Sequence, residues 1–137
     1  MKMKISLEIL TPDRQLVREE VDTVTAPGVE GEFGVLPGHT YFITKLGIGM
    51  ASYSVGSEKK HLSISGGIAE IGPDRVNILT DVAEIPEEID IERAKAAKER
   101  AEARLAGKTD EDVDYTRVWA ALQKALARIR LASQRKN

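Results

Sequence analysis

The chain changes composition abruptly at Pro86, and this change limits the folds that it can adopt. All 5 prolines and 10 of the 11 glycines lie at or before this residue. Beyond it, 11 of the 51 residues are alanine and Gly107 is the only glycine. Because proline and glycine favour turns while alanine favours helices, the sequence predicts a turn-rich β domain over residues 1–86 and a helical region over residues 87–137.

Residues 1–86 contain short segments in which apolar and polar side chains alternate, as in strands with one buried face. The predicted strands cover residues 5–10, 15–24, 32–36, 39–44, 48–55, 60–65, 68–71 and 76–81. Ala26-Pro27-Gly28 is expected to break the chain after the second strand. Many short strands at this spacing indicate a β-sandwich or a barrel. A parallel α/β sheet is excluded because no crossover helix lies between the strands.

Residues 87–137 predict two antiparallel helices joined by a short connection. The first covers residues 90–106, with Asp90 as its N-cap and Gly107 at its end. The second covers residues 115–133, and its predicted apolar stripe consists of Leu122, Leu126 and Ile129. Abundant alanine lets the two helices approach closely. Such a hairpin buries little apolar surface, so we expect it to need a partner surface or a ligand.

Composition excludes several classes of protein. The chain has no cysteine and 2 histidines, which argues against disulfides, thiolate metal sites and a histidine-based zinc site. A net charge of −2 argues against a nucleic-acid-binding module. No apolar run approaches the roughly 20 residues that span a bilayer, so no membrane insertion is expected. The N-terminus shows no signal or transit pattern, and we expect the protein to stay where it is made.

No motif in the sequence predicts catalysis. Gly107-Lys108-Thr109 looks like the end of a phosphate-binding loop, but Glu102 stands where that loop needs glycine. A helix end is therefore the better interpretation. His39 lies in a turn and His61 in a strand, and no serine is spaced to form a nucleophilic triad with either. Neither a catalytic residue nor a metal ligand is predicted.

The second helix is strongly basic. Residues 115–137 carry six basic side chains and no acidic one; these are Arg117, Lys124, Arg128, Arg130, Arg135 and Lys136. A solvated helix face is the simplest interpretation. The imbalance also favours an anionic partner, either an acidic protein surface or a phosphate group. Antiparallel packing would allow Arg93 and Arg100 of the first helix to converge with Lys124 and Arg128 on a polyphosphate.

Three segments together resemble a known family. Residues 31–39 (GEFGVLPGH), residues 65–71 (SGGIAEI) and residues 112–115 (DVDY) are similar, in order and spacing, to motifs of the ε subunit of F-type ATP synthases. The resemblance covers both halves of the chain. It implies an antiparallel β-sandwich over residues 1–86 followed by a regulatory two-helix hairpin over residues 87–137, in agreement with the patterns above.

The resemblance implies a non-catalytic rotor subunit that couples proton-driven rotation to ATP synthesis, peripheral to the cytoplasmic face of a bacterial membrane. The sandwich would bind the γ subunit and the ring of c subunits, with Glu32 facing the c ring and Thr11 and His39 facing γ. The extended hairpin would inhibit ATP hydrolysis by reaching a catalytic β subunit of the α/β hexamer. The residues implied in that contact are Arg117, Lys124, Arg128, Arg130 and Arg135.

Some bacterial members of the family bind ATP in the folded-down state through an [IL]-D-x-x-R-A motif. Ile89, Asp90, Arg93 and Ala94 match this motif. The resemblance adds four further positions to the implied ATP site, which are Glu84, Arg100, Lys124 and Arg128. ATP would thus be a regulatory ligand, and no cofactor is required. A stand-alone ATP-sensing module remains the alternative function.

Overall fold

The computed structural model describes residues 3–107 and 113–134. Ten strands come first: β1 Ile5–Leu10, β2 Gln15–Val21, β3 Thr23–Gly28, β4 Gly31–Val35, β5 Phe42–Lys45, β6 Ile48–Val55, β7 Glu58–Ser65, β8 Ile68–Ile71, β9 Arg75–Leu79 and β10 Val82–Glu84. A 3₁₀ turn (Pro86–Glu88) leads to helix α1 (Ile91–Leu105), and helix α2 (Tyr115–Ala132) follows.

The strands form two five-stranded sheets that pack face to face, which confirms the predicted sandwich. The first sheet has the order β2-β1-β9-β8-β5 and the second the order β10-β7-β6-β3-β4. Alternate side chains of both sheets point inward and form one apolar core. Its most deeply buried members include Ile5, Leu7, Ile9, Val21, Val24, Val35, Leu62, Ile64, Val76 and Ile78.

The pairing is antiparallel except between β1 and β9, which run parallel. A parallel α/β sheet was not expected, because no crossover helix lies between the strands. The chain between β1 and β9, which contains strands β2 to β8, supplies the long connection that a parallel strand pair requires. The exception therefore changes one strand pair and leaves the sandwich architecture as predicted.

Some strand boundaries differ from the prediction. Ala26-Pro27-Gly28 was expected to end a strand, but it lies within β3, and the real break comes at Asp22. Pro27 is tolerated because β3 pairs with β6 only over Thr23–Thr25, so at Pro27 β3 pairs with β4 alone. The short strand β10, which pairs with the end of β7, was not predicted.

The two helices match their predicted limits within one residue. Asp90 is the N-cap of α1, since its Oδ1 accepts a hydrogen bond from the Arg93 backbone N–H at 3.0 Å. The predicted apolar stripe of α2 is wrong at Leu126, which is 38% exposed. The buried side chains of α2 are instead Val118, Leu122, Ala125, Leu131 and Ala132. Leu122 meets α1, whereas Leu131 meets the sandwich.

Candidate functional site

The C-terminal part of α2 packs on the outer face of the second sheet. Ala51, Leu62 and Ile64 belong to the inner core, so their neighbours along β6 and β7 point outward. One of these, Met50, joins a small apolar group that we call the docking cluster, made of Met50, Ile89, Ile91, Leu131 and Ala132. Leu131 is completely buried in it. The hairpin is therefore folded down onto the sandwich.

An ion pair between Arg128 and Glu84 reinforces this contact. The Arg128 Nε lies 2.8 Å from Glu84 Oε1, and the Arg128 Nη2 donates to Glu84 Oε2 at 3.0 Å. Both side chains are about one-quarter exposed. The Nη2 hydrogen bond is charge-assisted and therefore stronger than a bond between neutral groups, and the Nε contact adds attraction between opposite charges. The pair joins residues 44 positions apart and connects α2 directly to β10.

A small cavity lies beside this ion pair, between α2 and the second sheet, and we call it the sheet cavity. Its volume is about 210 Å³. Its walls are Ile48, Ser63, Ile64, Ser65, Val82, Glu84, Lys124, Ala127 and Arg128. Ligand pockets usually measure about 300–1,000 Å³, so the cavity accommodates part of a nucleotide rather than a whole one. Its walls carry two cations, Lys124 and Arg128, and one carboxylate, Glu84, which is paired with Arg128.

The motif at the start of α1 has clear structural roles. Ile89 is buried in the docking cluster, and Ala94 is completely buried. Asp90 caps the helix, and Arg93 is exposed. The helix-cap hydrogen bond explains Asp90, and burial explains Ile89 and Ala94. The local structure therefore explains three of the four motif residues without a ligand. Arg93 alone has no structural role of this kind.

The remaining predicted cation of α1, Arg100, lies elsewhere. It lines a second cavity of about 480 Å³ between α1 and α2, which we call the interhelical cavity. Arg104 and Arg117 line the same cavity. The structure thus brings Glu84, Lys124 and Arg128 together at the sheet cavity, and it places Arg100 with two other arginines further along the hairpin.

The segment between β10 and α1 is held by a second ion pair. Arg14, from the turn after β1, donates through Nη2 to Glu88 Oε1 at 2.7 Å, and the same oxygen accepts from the Ile85 backbone N–H at 3.0 Å. The hydrogen bond from Arg14 and the backbone bond from Ile85 lower the pKa of Glu88. The pair also raises the pKa of Arg14, mainly through the hydrogen bond with Glu88. The 3₁₀ turn is therefore fixed to the sandwich.

Both halves of the chain match models of one family. Residues 4–86 match the β-sandwich domain of the ATP synthase delta/epsilon chain, and residues 87–133 match the long α-helix domain of the same chain. The chain belongs to the ATP synthase delta/epsilon family. This family membership makes it a structural or regulatory subunit of an ATP synthase rather than the catalytic one.

Relatives of this family match the chain over nearly its whole length. The ATP synthase epsilon chain of Syntrophobacter fumaroxidans is 51% identical over 134 residues, which cover 98% of this chain and 99% of that one. The epsilon chain of Nitratidesulfovibrio vulgaris is 50% identical over 131 residues, covering 96% and 97%.

Solved structures agree with this assignment. A chain in the cryo-EM structure of the Euglena gracilis mitochondrial ATP synthase, containing OSCP, F1 and the c-ring, is 31% identical, with a TM-score of 0.78 over 90% of this chain and 78% of that one. A chain from the central stalk and c-ring of the Tetrahymena thermophila enzyme shares the fold at 16% identity, with a TM-score of 0.55 over 98% and 96%.

The sandwich positions expected to meet other subunits of the ATP synthase are widely separated. The loop that contains Thr11 lies at the end of β9, because the carbonyl of Leu10 accepts a hydrogen bond from the Thr80 N–H. The loop that contains His39 lies at the start of β9, because the Gly38 N–H donates to the carbonyl of Pro73. The five residues of β9 therefore separate the two loops by about 17 Å. Glu32 is exposed on β4, an edge strand of the second sheet.

The basic residues of α2 in this delta/epsilon chain differ in exposure and in pairing. Arg117, Lys124 and Arg130 are exposed, while Arg128 is paired with Glu84. Arg135 lies outside the described residues.

Within the described part of the chain, no group of three acidic or histidine side chains is placed to hold a metal ion. No helix over those residues has the length and apolar character needed to cross a membrane.

Sequence reasoning missed the residues that hold the hairpin down. Leu131 was not included in the predicted stripe, and Met50 was not singled out within the strand predicted over residues 48–55. The available signal was the apolar pair Ile48 and Met50, both at outward positions of β6. His61, also outward on β7, is half-buried, and burial together with Lys59 lowers its pKa.

Proposed function

We propose that the chain is a non-catalytic rotor subunit that couples proton-driven rotation to ATP synthesis, and that its hairpin regulates ATP hydrolysis. One observation carries this proposal: the two outer faces of the sandwich are used differently. The hairpin covers the outer face of the second sheet, and the outer face of the first sheet is left open. Partner binding and hairpin movement can therefore occur on separate surfaces.

The open face has the character of a protein-binding surface. Ile68 and Leu79 pair directly across β8 and β9 and are 45% and 49% exposed. Ile43, on the neighbouring strand β5, is exposed as well. Adjacent exposed apolar side chains are typical of interaction surfaces. We assign this face to the γ subunit, with Thr11 and His39 at its two ends.

The c ring would meet the tip formed by β3 and β4. Val29 in the turn between these strands and Glu32 near the start of β4 are both exposed. An apolar side chain next to a carboxylate suits the short polar loops implied for the ring. In this arrangement the sandwich stands on the ring at one end and binds γ through its first sheet, at the periphery of the cytoplasmic membrane face.

The hairpin would inhibit hydrolysis only when released. In the folded-down state Arg128 is neutralised by Glu84 and Leu131 is buried, so neither is available to a partner. Release would expose both, together with the already exposed Arg117, Lys124 and Arg130. A basic helix of this kind would bind an acidic surface of a catalytic β subunit; Arg135 would extend the same basic run.

ATP would act by binding the folded-down state better than the released state, since a ligand shifts an equilibrium only through such a difference. The sheet cavity is too small for the whole molecule. ATP would therefore extend from the cavity toward Arg93 and Arg100 along the hairpin, with Lys124 contacting phosphate and Arg128 exchanging its contact with Glu84 for one with phosphate. Glu84, Ile89, Asp90 and Ala94 would form the end of the site nearest the sandwich.

Two experiments test these assignments. Co-purification with a γ subunit should fail, or weaken at least tenfold, in Ile68→Glu, because a buried charge would face γ. Leu126→Glu, which places the same charge on the exposed side of the hairpin, serves as the matched control. Loss of γ in both variants, or in neither, would contradict the assignment of the open face.

The ATP site is tested by calorimetric titration of ATP into the full chain. We expect one-to-one binding that Asp90→Ala and Arg93→Ala abolish and that Lys95→Ala, an exposed position on the same helix, leaves unchanged. Absence of binding at millimolar ATP would refute the regulatory site and leave the rotor assignment standing. ATP binding without any association with γ would instead favour the stand-alone sensing module.

A further inference from the structure

His61 lies on the outward face of β7, next to the docking cluster, and the proposed function gives it no role. In the register of β6 and β7, Met50 pairs with Ser63 and Ser52 pairs with His61. The pair that contains His61 therefore lies about 7 Å along the strands from the pair that contains Met50. A side chain at this position is close enough to the docking cluster to be affected when the hairpin leaves.

A cavity of about 310 Å³, which we call the connector cavity, borders His61. Its lining combines residues of β2, β6 and β7 with residues 85–87 of the segment that leads to α1 and with Gln134, which follows α2. Both α2 and the 3₁₀ turn contact β7. The surroundings of His61 therefore belong partly to the sandwich and partly to the hairpin, and they change when the hairpin is released.

One nitrogen of the His61 ring is enclosed without a hydrogen bond. Nδ1 is buried and has no hydrogen-bond partner among the described residues. The cross-strand neighbour Ser52 shares its hydroxyl hydrogen bond with Thr25 instead. A neutral imidazole can leave this nitrogen as an unpaired acceptor, whereas a protonated ring carries an N–H donor and a positive charge there. Burying a charged donor without an acceptor costs more than burying a neutral nitrogen.

The charged groups around the connector cavity do not offset this cost. Burial lowers the pKa of His61, and Lys59, two residues earlier on the same face of β7, lowers it further. Lys60 is paired with Glu19 of β2 at 3.5 Å. Glu87 carries the one carboxylate among the described lining residues, and it is exposed to solvent.

The other polar groups that face this region are neutral or paired. Burial raises the pKa of Tyr53 to about 12, so its phenol is uncharged near neutral pH. Gln134 carries no charge. The neighbouring ion pairs are Glu84 with Arg128 and Glu88 with Arg14. His61 is thus the group at this cavity whose charge changes near neutral pH.

We propose that His61 makes docking of the hairpin sensitive to pH, so that protonation of its imidazole favours release. Release uncovers the ring to water, where the positive charge is solvated. Protonation of His61 and release of the hairpin are therefore linked. The proposal rests on the proposed movement of the hairpin, but it needs neither ATP nor another subunit.

Acid should weaken docking. The pKa of His61 is lowered in the docked state and returns toward its ordinary value of 6.5 on release. His61 therefore leaves docking unaffected well above pH 6.5, and it weakens docking as the pH falls from there toward the docked-state pKa. One histidine changes the ratio of released to docked hairpin by at most about tenfold per pH unit. Between about pH 7.5 and about pH 5.5 we expect that ratio to rise by about threefold to tenfold.

Amide hydrogen exchange of the full chain at these two pH values tests the proposal, with each rate divided by its intrinsic rate at that pH. At the lower pH the protection of α2 should fall by about threefold to tenfold, while β1 and β9 change less than about twofold. His61→Gln, which is uncharged at both values, should remove the pH dependence. The matched control is His39→Gln, which removes the other of the 2 histidines, lies outside the connector cavity and should leave the pH dependence intact.

Equal pH dependence in the wild type and in His61→Gln would overturn the proposal, as would protection of α2 that does not change with pH. NMR titration of His61 in the wild type is a second measurement. Its midpoint should lie below 6.5, and a midpoint at or above that value would also overturn the proposal. A chain that ends at Gln134 keeps the whole described lining and should respond in the same way; loss of the response would assign it to residues 135–137 instead.

Leu131→Ala separates this proposal from the movement on which it rests. If truncating the docking cluster opens the helices while pH has no effect, the hairpin moves but His61 does not control it. If neither change opens the helices, the proposed regulation by hairpin movement fails as well.

Discussion

Replacing Leu131 with alanine should release the hairpin without unfolding the sandwich. Leu131 is completely buried, and it lies in the docking cluster rather than in the sandwich core. Leucine-to-alanine changes at buried sites cost about 2.7–5.0 kcal/mol. Since each 1.4 kcal/mol is a factor of ten, the ratio of released to docked hairpin should rise by about 100-fold to 4,000-fold.

Amide hydrogen exchange measures this shift region by region, because local opening and global unfolding protect different sets of amides. In Leu131→Ala we expect faster exchange over α1 and α2, while β1 and β9, which form the centre of the first sheet, keep their protection. The matched control is Leu126→Ala, a 38% exposed leucine of the same helix, which should change exchange by less than about fivefold.

Two outcomes would refute this reasoning. Equal acceleration of exchange in the helices and in the sandwich would mean that the two parts unfold as one unit. An equal effect of Leu126→Ala and Leu131→Ala would mean that the helix itself has been weakened and that docking does not depend on the cluster.

Three further predictions concern the remaining contacts. A double-mutant cycle on Glu84→Gln and Arg128→Ala, measured by the same exchange experiment, should give a coupling of about 1–3 kcal/mol, and zero coupling would mean that the ion pair does not contribute to docking. The pKa of Glu88 is lowered in the folded state, so ionised Glu88 stabilises the fold fully above the ordinary pKa of 4.5, and this stabilisation is lost as the pH falls through the folded-state pKa. In an acid titration of unfolding, Glu88→Gln should not show this loss of stability. Gly67→Ala should destabilise the chain by more than about 1 kcal/mol in denaturant unfolding, because φ is +112° and an added Cβ would lie 2.0 Å from a backbone oxygen of β9.

Features set by neighbouring residues could be predicted from the sequence. The cap at Asp90 and the helix end at Gly107 follow from local hydrogen bonding and from a positive φ of 72°, and both are confirmed. The alternating pattern predicted β6 and β8 with their observed limits. These elements were predictable because the interactions that determine them lie within a few residues of one another.

Features that depend on distant contacts could not be predicted in this way. Pro27 reads as a strand breaker, yet β3 continues through it because at that point β3 pairs with β4 alone. The periodicity of α2 cannot distinguish Leu126 from Leu131, since the choice depends on where the sandwich lies. The contact between Glu84 and Arg128 spans 44 residues, and only the family resemblance suggested that the two belong to one site.

The strength of docking determines whether a ligand can control it. The docked state is held mainly by the small docking cluster around Leu131 and by the ion pair between Arg128 and Glu84, so its total stabilisation is several kcal/mol. A ligand that binds only the docked state adds about 2.7 kcal/mol at 100 times its Kd and about 4.1 kcal/mol at 1,000 times. These values fall within the range of about 2.7–5.0 kcal/mol expected for truncating Leu131. Saturating ATP should therefore restore most of the protection that Leu131→Ala removes, whereas a much larger docking interface would leave the hairpin insensitive to any ligand.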